Sequence, residues 1–268
     1  MRLYYGGEVV HQAQSDDGMI EVVDSGDMRS MHFGTLPRQS SMSLRTPYTL
    51  ELTYTQAMMA CLIINPEPKR ILVVGLGGGS IVKFLLYHFP DCQIDVIEYR
   101  QDVIDVAQTY FNVPKNDPRL TIYQGDGYLF VQKQHFQDKN RYDLLLVDAY
   151  DHIGMAASVG VQNFYDSCAG ILSEQGVMSI NLWGSDRHLF NQSMTRINQS
   201  FHGRSLILPV ENKGNVIGLA TMHIVTAAYL KKIRARVELQ EAKFNINLSR
   251  SLQELTRQNR SFISRLFS

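Results

Sequence analysis

Two carboxylates that follow one apolar run are candidates for acid–base or cation-binding chemistry. Asp148 and Asp151 stand three residues apart, directly after residues 144–147, whose sequence LLLV is typical of a buried strand. Carboxylates this close can hold a cation or remove a proton, and their repulsion can raise the pKa of one of them. Two solvated loop acids are the ordinary alternative. His152, which follows, is expected to be a loop residue rather than a catalytic base.

A glycine-rich turn follows an earlier apolar run at residues 71–74. Its glycines are Gly75, Gly77, Gly78 and Gly79, and Ser80 comes next. Glycine lets a backbone turn tightly and approach a ligand closely. The turn lacks the last glycine of the GxGxxG dinucleotide fingerprint, and it is not a P-loop because no Gly-Lys-Ser/Thr follows. A plain tight turn between a strand and a helix is the alternative.

Acidic residues also end the two apolar runs between these sites. Glu98 follows the first run, 23 positions after Gly75, and an acid at that distance can accept hydrogen bonds from both hydroxyls of a ribose. Asp126 and Gly127 follow the second run. There, a carboxylate could accept from the exocyclic amine of adenine while a backbone N–H meets a ring nitrogen. A solvated acid and a plain turn are the respective alternatives.

Together, these four run ends describe a pocket for a nucleoside without phosphate groups. The first cation after the glycine turn is Lys83, which already lies on the expected helix rather than in the turn. An adenosyl sulfonium therefore fits the residues better than NAD does. No metal site is indicated, because Cys61, Cys92 and Cys168 form neither a CxxC motif nor a Cys/His cluster.

The elements that must position these residues alternate along the chain from residue 70. Strands are expected at residues 71–74, 94–97, 120–123, 144–147 and 176–182, with helices between them. This alternation predicts an α/β fold with a parallel, doubly wound sheet. Ligands of such sheets bind beyond the carboxyl ends of the strands, which is where the residues above would lie.

Three regions are predicted along the chain. Residues 1–50 alternate apolar runs with turn clusters and are expected to form a small β domain. Residues 51–228 are expected to form the nucleoside-binding catalytic domain, which opens with a helix at 51–64. Residues 229–268 are expected to form a basic helical extension that packs on the core or on a partner subunit, because apolar residues recur there at helical spacing. Contact with RNA or a membrane surface is the alternative.

The charge of the chain is balanced overall but divided between these regions. The 268 residues contain 26 Lys and Arg and 26 Asp and Glu, and 44% of the residues are hydrophobic, which is typical of a soluble globular protein. Residues 229–268 carry a net charge of +6, and residues 1–228 a net charge of −6. The acidic part would attract a cationic sulfonium and a cationic amine. Binding to nucleic acid is not expected.

The sequence predicts a cytoplasmic protein. Its N-terminus lacks the apolar stretch of a signal peptide, and its apolar runs are far shorter than the ~18 residues that a membrane-spanning helix needs. The three cysteines are odd in number and far apart, which favours reduced thiols over a disulfide framework.

These motifs, in this order, resemble those of the spermidine synthase family of polyamine aminopropyltransferases, a branch of the fold shared with S-adenosylmethionine-dependent methyltransferases. The likeness covers residues 15–222 and is strongest over 70–184. The family's VIGGGDGG is similar to residues 73–80, its E-x-x-x-x-V-I-x-V-A to 98–107, its GDGFEF to 125–130 and, without a gap, its DSSDPxGPAxxLxxxxYY to 148–165. More loosely, its Y-x-E-M helix resembles residues 54–57.

The resemblance implies a Rossmann-like, methyltransferase-like domain that binds decarboxylated S-adenosylmethionine, together with an N-terminal β-hairpin domain. Glu98 would bind the ribose, Asp126 the adenine amine, and Asp148 would take a proton from the attacking amine, which would be putrescine or another polyamine. The residues expected to contact the amine are Tyr54, Gln56, Tyr150 and Asp151, and those expected to contact the donor are Gly75, Gly77, Gly78, Gly79, Glu98, Asp126 and Gly127. Residues 149–160 would form a gating loop, and a homodimer is implied.

The sequence departs from the family mainly around the amine. The family's Asp after three glycines is Gly78 here; that carboxylate contacts the aminopropyl ammonium and disfavours the carboxylate of intact S-adenosylmethionine. A family Pro is replaced by His152, a family Tyr falls near Glu211 or Asn212, and a family Gln near Gly18. Aminopropyl transfer is the preferred function. A methyltransferase that uses intact S-adenosylmethionine and a non-catalytic nucleoside-binding homologue are the alternatives.

Overall fold

The computed structural model describes residues 3–15, 17–137, 142–149, 157–211 and 213–259. Within them, the strands are β1 (Leu3–Tyr4), β2 (Gly7–Ser15), β3 (Gly18–Ser25), β4 (Met28–His32), β5 (Ser40–Ser43), β6 (Arg70–Val74), β7 (Gln93–Glu98), β8 (Leu120–Gln124), β9 (Tyr142–Val147), β10 (Leu172–Trp183), β11 (Ser205–Pro209) and β12 (Asn215–Thr221). The helices are α1 (Thr53–Met58), α2 (Cys61–Ile64), α3 (Ser80–His88), α4 (Gln101–Tyr110), α5 (Gly127–Gln137), α6 (Gln162–Ile171), α7 (Arg187–Ser200), α8 (Ala227–Lys232), α9 (Arg234–Phe244) and α10 (Leu248–Gln258), with a short 3₁₀ helix at Ala157–Gly160. None of the helices in this part of the chain is long and apolar enough to cross a membrane.

An antiparallel five-stranded sheet forms the N-terminal region, as expected from its turn clusters. Its strands lie in chain order, from β1 to β5. Val22 and Met31 are buried in one cluster with Val103 of α4 and with Phe111, the residue directly after α4. The N-terminal sheet therefore packs on the helix that follows β7. The guanidinium of Arg100 also donates to the backbone oxygen of Gly18 at 3.2 Å. These contacts fix the N-terminal sheet over one end of the central sheet.

A seven-stranded sheet forms the centre of the described chain, in the order β11-β12-β10-β9-β6-β7-β8. Strands β6 to β10 pair in parallel, while β12 runs antiparallel to both β10 and β11. Alternate residues of β6 and β9 belong to two separate hydrophobic cores, one on each face of the sheet. Burial on both faces explains why these strands are apolar at nearly every position. The predicted doubly wound α/β fold is confirmed.

The register of the central strands aligns their carboxyl ends. Val74 pairs with both Ile97 and Val147, and Val147 pairs with Ile180. The residues that come next in β6, β7, β9 and β10 must therefore lie side by side at one edge of the sheet. These residues are Gly75, Glu98, Asp148 and Asn181.

The single helix expected at residues 51–64 is instead two short helices, α1 and α2. Between them, the N–H of Ala60 bonds to the carbonyl of Ala57, and the N–H of Leu62 to that of Met59, three residues back in each case. Such bonds tighten the chain into a 3₁₀-like turn and interrupt the α-helical ladder. All residues from 58 to 64 are buried, so tertiary packing decides the local conformation here.

The C-terminal helices α8 to α10 pack on the central core, as expected for amphipathic helices. Leu230, Val237 and Leu252 belong to the same hydrophobic core as β6 and β9. Their polar neighbours close the carboxyl end of α2, whose last carbonyls have no partner within the helix. The bonds run from Tyr229 Oη to Ile64 O (3.0 Å), from Arg236 Nη2 to Ile63 O (2.7 Å) and from Gln240 Nε2 to Leu62 O (3.2 Å). The three region boundaries inferred from sequence stay predictions.

Candidate active site

A cavity of about 800 Å³ opens at the carboxyl end of the central sheet, where the fold predicts a ligand site. Its wall includes the turn after β6 together with Glu98, Asp126 and Asp148, so the structure brings together four regions that are distant in sequence. Residues 37–40, from the N-terminal region, close one side. A cavity of this size can hold a nucleoside and a small amine.

The turn after β6 is in backbone contact with the end of β9 at Gly75. This residue has a φ of +95°, and a Cβ atom built on it would lie 2.2 Å from the carbonyl oxygen of Asp148. Only glycine allows both this conformation and this approach. The N–H of Gly75 also donates to the carbonyl of Ile97 at 2.9 Å. The glycine turn is therefore a fixed link between the end of β7 and Asp148.

Glu98 organises the glycine turn from the neighbouring strand. Its Oε2 accepts from the N–H of Leu76 at 2.8 Å, and its Oε1 accepts from the N–H of Arg100 at 3.0 Å. Burial raises the pKa of Glu98, while these backbone hydrogen bonds act in the opposite direction. The carboxylate faces the cavity, where the sequence predicts that it binds a ribose. The turn and this acid therefore form one unit.

Asp126 begins the helix that follows β8. Its Oδ1 accepts from the N–H of Leu129 at 2.9 Å, which is the usual contact of an N-capping residue. Asp126 and Gly127 both line the cavity, and a Cβ atom on Gly127 would lie 2.6 Å from Cγ1 of Val74. The cap fixes the carboxylate at the cavity wall, where the sequence predicts a contact with adenine.

Asp148 is held by a chain of side chains that ends at β12. Its Oδ1 accepts from Nδ2 of Asn181 at 2.9 Å, and Oδ1 of Asn181 accepts from Nδ2 of Asn215 at 2.9 Å. Burial raises the pKa of Asp148, while the hydrogen bonds from Asn181 and Tyr54 act in the opposite direction. All four side chains line the cavity. A carboxylate with a raised pKa is suited to take up a proton during a reaction.

The residues expected to contact the amine have separate outcomes. Tyr54, at the start of α1, lines the cavity and hydrogen-bonds to Asp148. Gln56 is not brought to the cavity; its Nε2 instead donates to the carbonyl of Leu50 at 2.7 Å. Tyr150 and Asp151 lie outside the described residues, as does most of the expected gating loop.

Gly78 lies behind the cavity wall, and packing there leaves no room for a side chain. A Cβ atom would lie 2.6 Å from Oγ of Ser40 and 2.8 Å from Cδ1 of Phe111. The carbonyl of Gly78 accepts from Nζ of Lys83 at 3.1 Å, and Lys83 also donates to the carbonyl of Phe111 at 2.6 Å. Burial lowers the pKa of Lys83 to about 7. A side chain at position 78, such as the carboxylate of the family, would therefore clash with Ser40 of the N-terminal sheet. Gly79 also lies behind the wall, where a Cβ atom would lie 2.3 Å from Cγ2 of Val113.

Several cavity residues were missed by sequence reasoning. Asn181 and Asn215 bind or support Asp148, while Arg38, Trp183 and Lys213 also line the wall. The signal for Asn181 was present, because it and Ser179 are the two polar residues of a strand at 176–182 that is otherwise built from glycine and apolar residues. Asn215 gives no such signal, since its place depends on the antiparallel pairing of β12 with β10.

The loop between β11 and β12 contacts the C-terminal helices. Glu211, near which the family Tyr falls, forms an ion pair with Arg250 of α10 at 2.7 Å. The C-terminal helices therefore reach the loop that carries Lys213 to the cavity.

The chain is similar to known proteins along most of its length. Residues 51–204 match the spermine/spermidine synthase domain. A polyamine aminopropyltransferase of Chromobacterium violaceum is 30% identical over 240 residues, which are 90% of each chain. One of Neisseria meningitidis is 28% identical over 248 residues, which are 92% of each chain.

Solved structures share the fold. A spermidine synthase in complex with the transition state analogue AdoDATO has a TM-score of 0.69 and 21% identity, over 91% of this chain and 88% of that chain. Human methyltransferase-like protein 13 in complex with SAH has a TM-score of 0.61 and 25% identity, over 75% and 93% respectively. Because the domain match spans more than half of the sequence and the first relative spans nine tenths of it, the chain belongs to the spermine/spermidine synthase family.

Proposed function

We propose that this chain transfers the aminopropyl group of decarboxylated S-adenosylmethionine to a small amine such as putrescine and releases methylthioadenosine. The observation that carries the proposal is the position of Asp148. The residue lines the cavity, its backbone touches the glycine turn, and its Oδ1 is held by Asn181. A general base is needed at this point, between a nucleoside pocket and an incoming amine.

The chemistry requires one proton to leave the amine. A protonated amine has no lone pair, so Asp148 accepts a proton from it before the nitrogen attacks the carbon next to the sulfonium. The new C–N bond forms while the C–S bond breaks. The electron pair of the C–S bond stays on sulfur, which becomes a neutral thioether. Holding both substrates in one cavity makes the step effectively unimolecular, which lowers the entropic part of the barrier.

Two parts of the cavity divide this work. We call residues 75–79, Glu98 and Asp126 the donor half, and Asp148, Asn181 and Asn215 the acceptor half. Each of these carboxylates would attract a sulfonium or a protonated amine that lies next to it, although three cations, Arg38, Arg100 and Lys213, also line the wall. No metal ion is part of the proposal.

Methyl transfer from intact S-adenosylmethionine is a second candidate, and two observations favour it. The glycine turn holds no carboxylate at Gly78 that would repel the α-carboxylate of the donor. Arg38, next to the backbone that approaches Gly77, lines the same cavity and could pair with that carboxylate. Similarity to a methyltransferase-like protein is compatible with this candidate.

One experiment separates the candidates. The purified protein is incubated with each donor and a panel of diamines and triamines, and the products are resolved by mass spectrometry. We expect amine-dependent methylthioadenosine from the decarboxylated donor, with kcat lower by about 10²–10⁴-fold in Asp148→Asn. Asp91→Asn, an exposed acid before β7, is the matched control and should retain full activity.

The other outcomes are equally definite. S-adenosylhomocysteine from the intact donor would support the methyltransferase. Neither product, together with calorimetric binding of methylthioadenosine, would leave a nucleoside-binding homologue without transfer activity.

We also propose that the enzyme is a cytoplasmic homodimer. The family resemblance supports the dimer, and the three buried, unpaired thiols of Cys61, Cys92 and Cys168 suit a reducing compartment. Light scattering should give a mass near twice the 30.5 kDa of the chain. A mass of one chain would contradict the dimer.

A further inference from the structure

Two asparagines next to Asp148 form a directed chain of hydrogen bonds, which we call the amide relay. Asn181 is at the carboxyl end of β10, in line with Asp148 at the end of β9. Asn215 is the first residue of β12, which pairs with β10. The relay runs from Nδ2 of Asn215 to Oδ1 of Asn181, and from Nδ2 of Asn181 to Oδ1 of Asp148, each at 2.9 Å.

The relay fixes the direction of the Asn181 amide. An asparagine side chain has a donor end and an acceptor end, and by itself it can face a neighbour with either. A carboxylate only accepts, so the NH₂ group of Asn181 must face Asp148, and the hydrogen bond from Asn215 to the oxygen of Asn181 supports the same direction. Asn181 is only 4% exposed, so water does not compete freely for these contacts.

The direction of the amide has a consequence for Asp148. Its Oδ1 accepts from a donor, which stabilises the charged form of the carboxylate. If the Asn181 amide were reversed, its oxygen would face a carboxylate oxygen, and the contact would become repulsive. Holding the carboxylate of Asp148 in one orientation places it to accept the proton of the reacting nitrogen.

Other ionisable groups share the cavity with Asp148, and they have to be separated from the relay. The charged or titratable side chains of its wall, besides Asp148, are Arg38, Tyr54, Glu98, Tyr99, Arg100, Asp126 and Lys213. Of these, Tyr54 contacts Asp148 directly. The asparagines carry no charge, so substituting them changes the contacts of Asp148 without adding or removing a titrating group.

We propose that Asn181 and Asn215 are positioning residues for the transfer reaction, and that they act by orienting the carboxylate of Asp148 through the amide relay. The inference rests on the proposed function, because it assigns to Asp148 the role of general base.

The first test compares Asn181→Leu and Asn215→Leu with the wild-type chain. We expect kcat to fall about 10–100-fold in Asn181→Leu, which loses a hydrogen bond to a charged group, and less in Asn215→Leu. The acidic limb of the kcat profile should move to higher pH in both, because a carboxylate without its donor is harder to ionise. Raising the pH should then restore part of kcat. A loss that is independent of pH would indicate a merely structural role and overturn the proposal.

The second test is a double-mutant cycle on Asp148→Asn. If Asn181 acts through Asp148, adding Asn181→Leu to Asp148→Asn should change kcat little, since the carboxylate to be oriented is already gone. Independent, multiplied losses would contradict the relay. Calorimetric binding of methylthioadenosine shows that each variant keeps its fold and its donor half, and Asn191→Leu, on the exposed side of α7, is the matched control.

The failure of the relay can be told from failure of the proposed function. Wild-type turnover with unchanged pH profiles in both variants would overturn the relay alone. Absence of methylthioadenosine formation by the wild-type chain would overturn the proposed function and the relay with it.

Discussion

The donor half and the acceptor half of the cavity are built in different ways. In the donor half, backbone N–H groups anchor the two carboxylates. Glu98 accepts from Leu76 of the adjoining turn and from Arg100, and Asp126 accepts from Leu129. In the acceptor half, Asp148 is anchored by side chains from other strands. The donor half thus depends on local backbone geometry, whereas the acceptor half depends on the order and direction of strands.

The two halves therefore differ in how freely their residues can be substituted. A side chain in the acceptor half can be replaced without disturbing a turn. The donor half cannot vary so freely, because its carboxylates also hold the backbone that contacts the ligand. Gly75 joins the two, since it touches the backbone of Asp148. The substitutions below test this division, beginning with the largest expected effect.

Gly75→Ala should damage both halves at once. The new Cβ atom would meet the carbonyl oxygen of Asp148 at 2.2 Å, and alanine disfavours a φ of +95°. Relief of the clash must move the glycine turn or the end of β9. We expect at least ~100-fold weaker methylthioadenosine binding by calorimetry, from strain and overpacking of ~3 kcal/mol or more.

Gly26→Ala is the matched control for this variant. Gly26 also has a positive φ, +59°, but a Cβ atom there would have no neighbour within 4 Å. It therefore reports the effect of backbone conformation without the clash. If both variants bound the ligand normally, the contact between the halves would not matter for the site.

Glu98→Gln should affect the donor half alone. An amide at this position can accept one of the two backbone hydrogen bonds but places its NH₂ group against the other N–H. We expect methylthioadenosine to bind about 10–100-fold more weakly, with little change of kcat at saturating donor. Glu238→Gln, on the exposed side of α9, is the control. A fall in kcat as large as that of Asp148→Asn would break the division between halves.

Asp148→Asn should stabilise the ligand-free chain while it abolishes most activity. The pKa of Asp148 is raised by burial, so the folded state binds more protons than the unfolded state between the two pKa values, and stability falls as pH rises through that interval. Asparagine does not titrate, so the variant does not lose stability in this way as the pH rises. The melting temperature should rise by about 2–4 °C at neutral pH, and the difference should shrink at acid pH. An unchanged melting temperature at both pH values would mean that the buried charge carries no penalty.

Lys83→Met should have the smallest effect on transfer, because Lys83 supports Gly78 from behind the cavity wall. Its pKa is lowered to about 7 from 10.5, so between these values the unfolded chain binds more protons and wild-type stability rises with pH. The melting curves of the variant should lack this rise. Lys232→Met, an exposed lysine of α8, should keep it. Equal pH dependence in wild type and Lys83→Met would show that Lys83 titrates normally.

The sequence is enough to bring Gly75, Glu98 and Asp126 to one edge of the sheet, because their determinants are local, and their roles in binding stay predictions. A glycine turn after an apolar run, and acids after the next two runs, need only the rule that parallel strands end at one edge. The acceptor half is harder to predict. Asn181 and Asn215 meet because β12 enters the sheet antiparallel to β10, and no short-range pattern encodes that pairing. The tight packing at Gly78 likewise depends on how Ser40 of the N-terminal sheet meets Phe111.

The helix at residues 51–64 shows a different limit. Its apolar sequence is compatible with one continuous helix. Burial of residues 58–64 in the core instead favours a turn between α1 and α2. Local preference is weak compared with such packing. The expected position of Tyr54 survives this change because it precedes the turn.

The hydrogen bonds that close α2 also set an order for events during synthesis. The carbonyls of residues 62–64 receive their donors from Tyr229, Arg236 and Gln240, 165 or more positions later in the chain. A ribosome delivers the N-terminal residues first. Until the last helices emerge, these carbonyls and the apolar surface around them have no protein partner, and a buried carbonyl without one is unfavourable.

The nascent chain should therefore stay open at this face until residues 229–240 have emerged. The part that matches the family domain, residues 51–204, would leave the ribosome without the helices that seal it. We expect the native core of this part to form only after α8 and α9 have emerged.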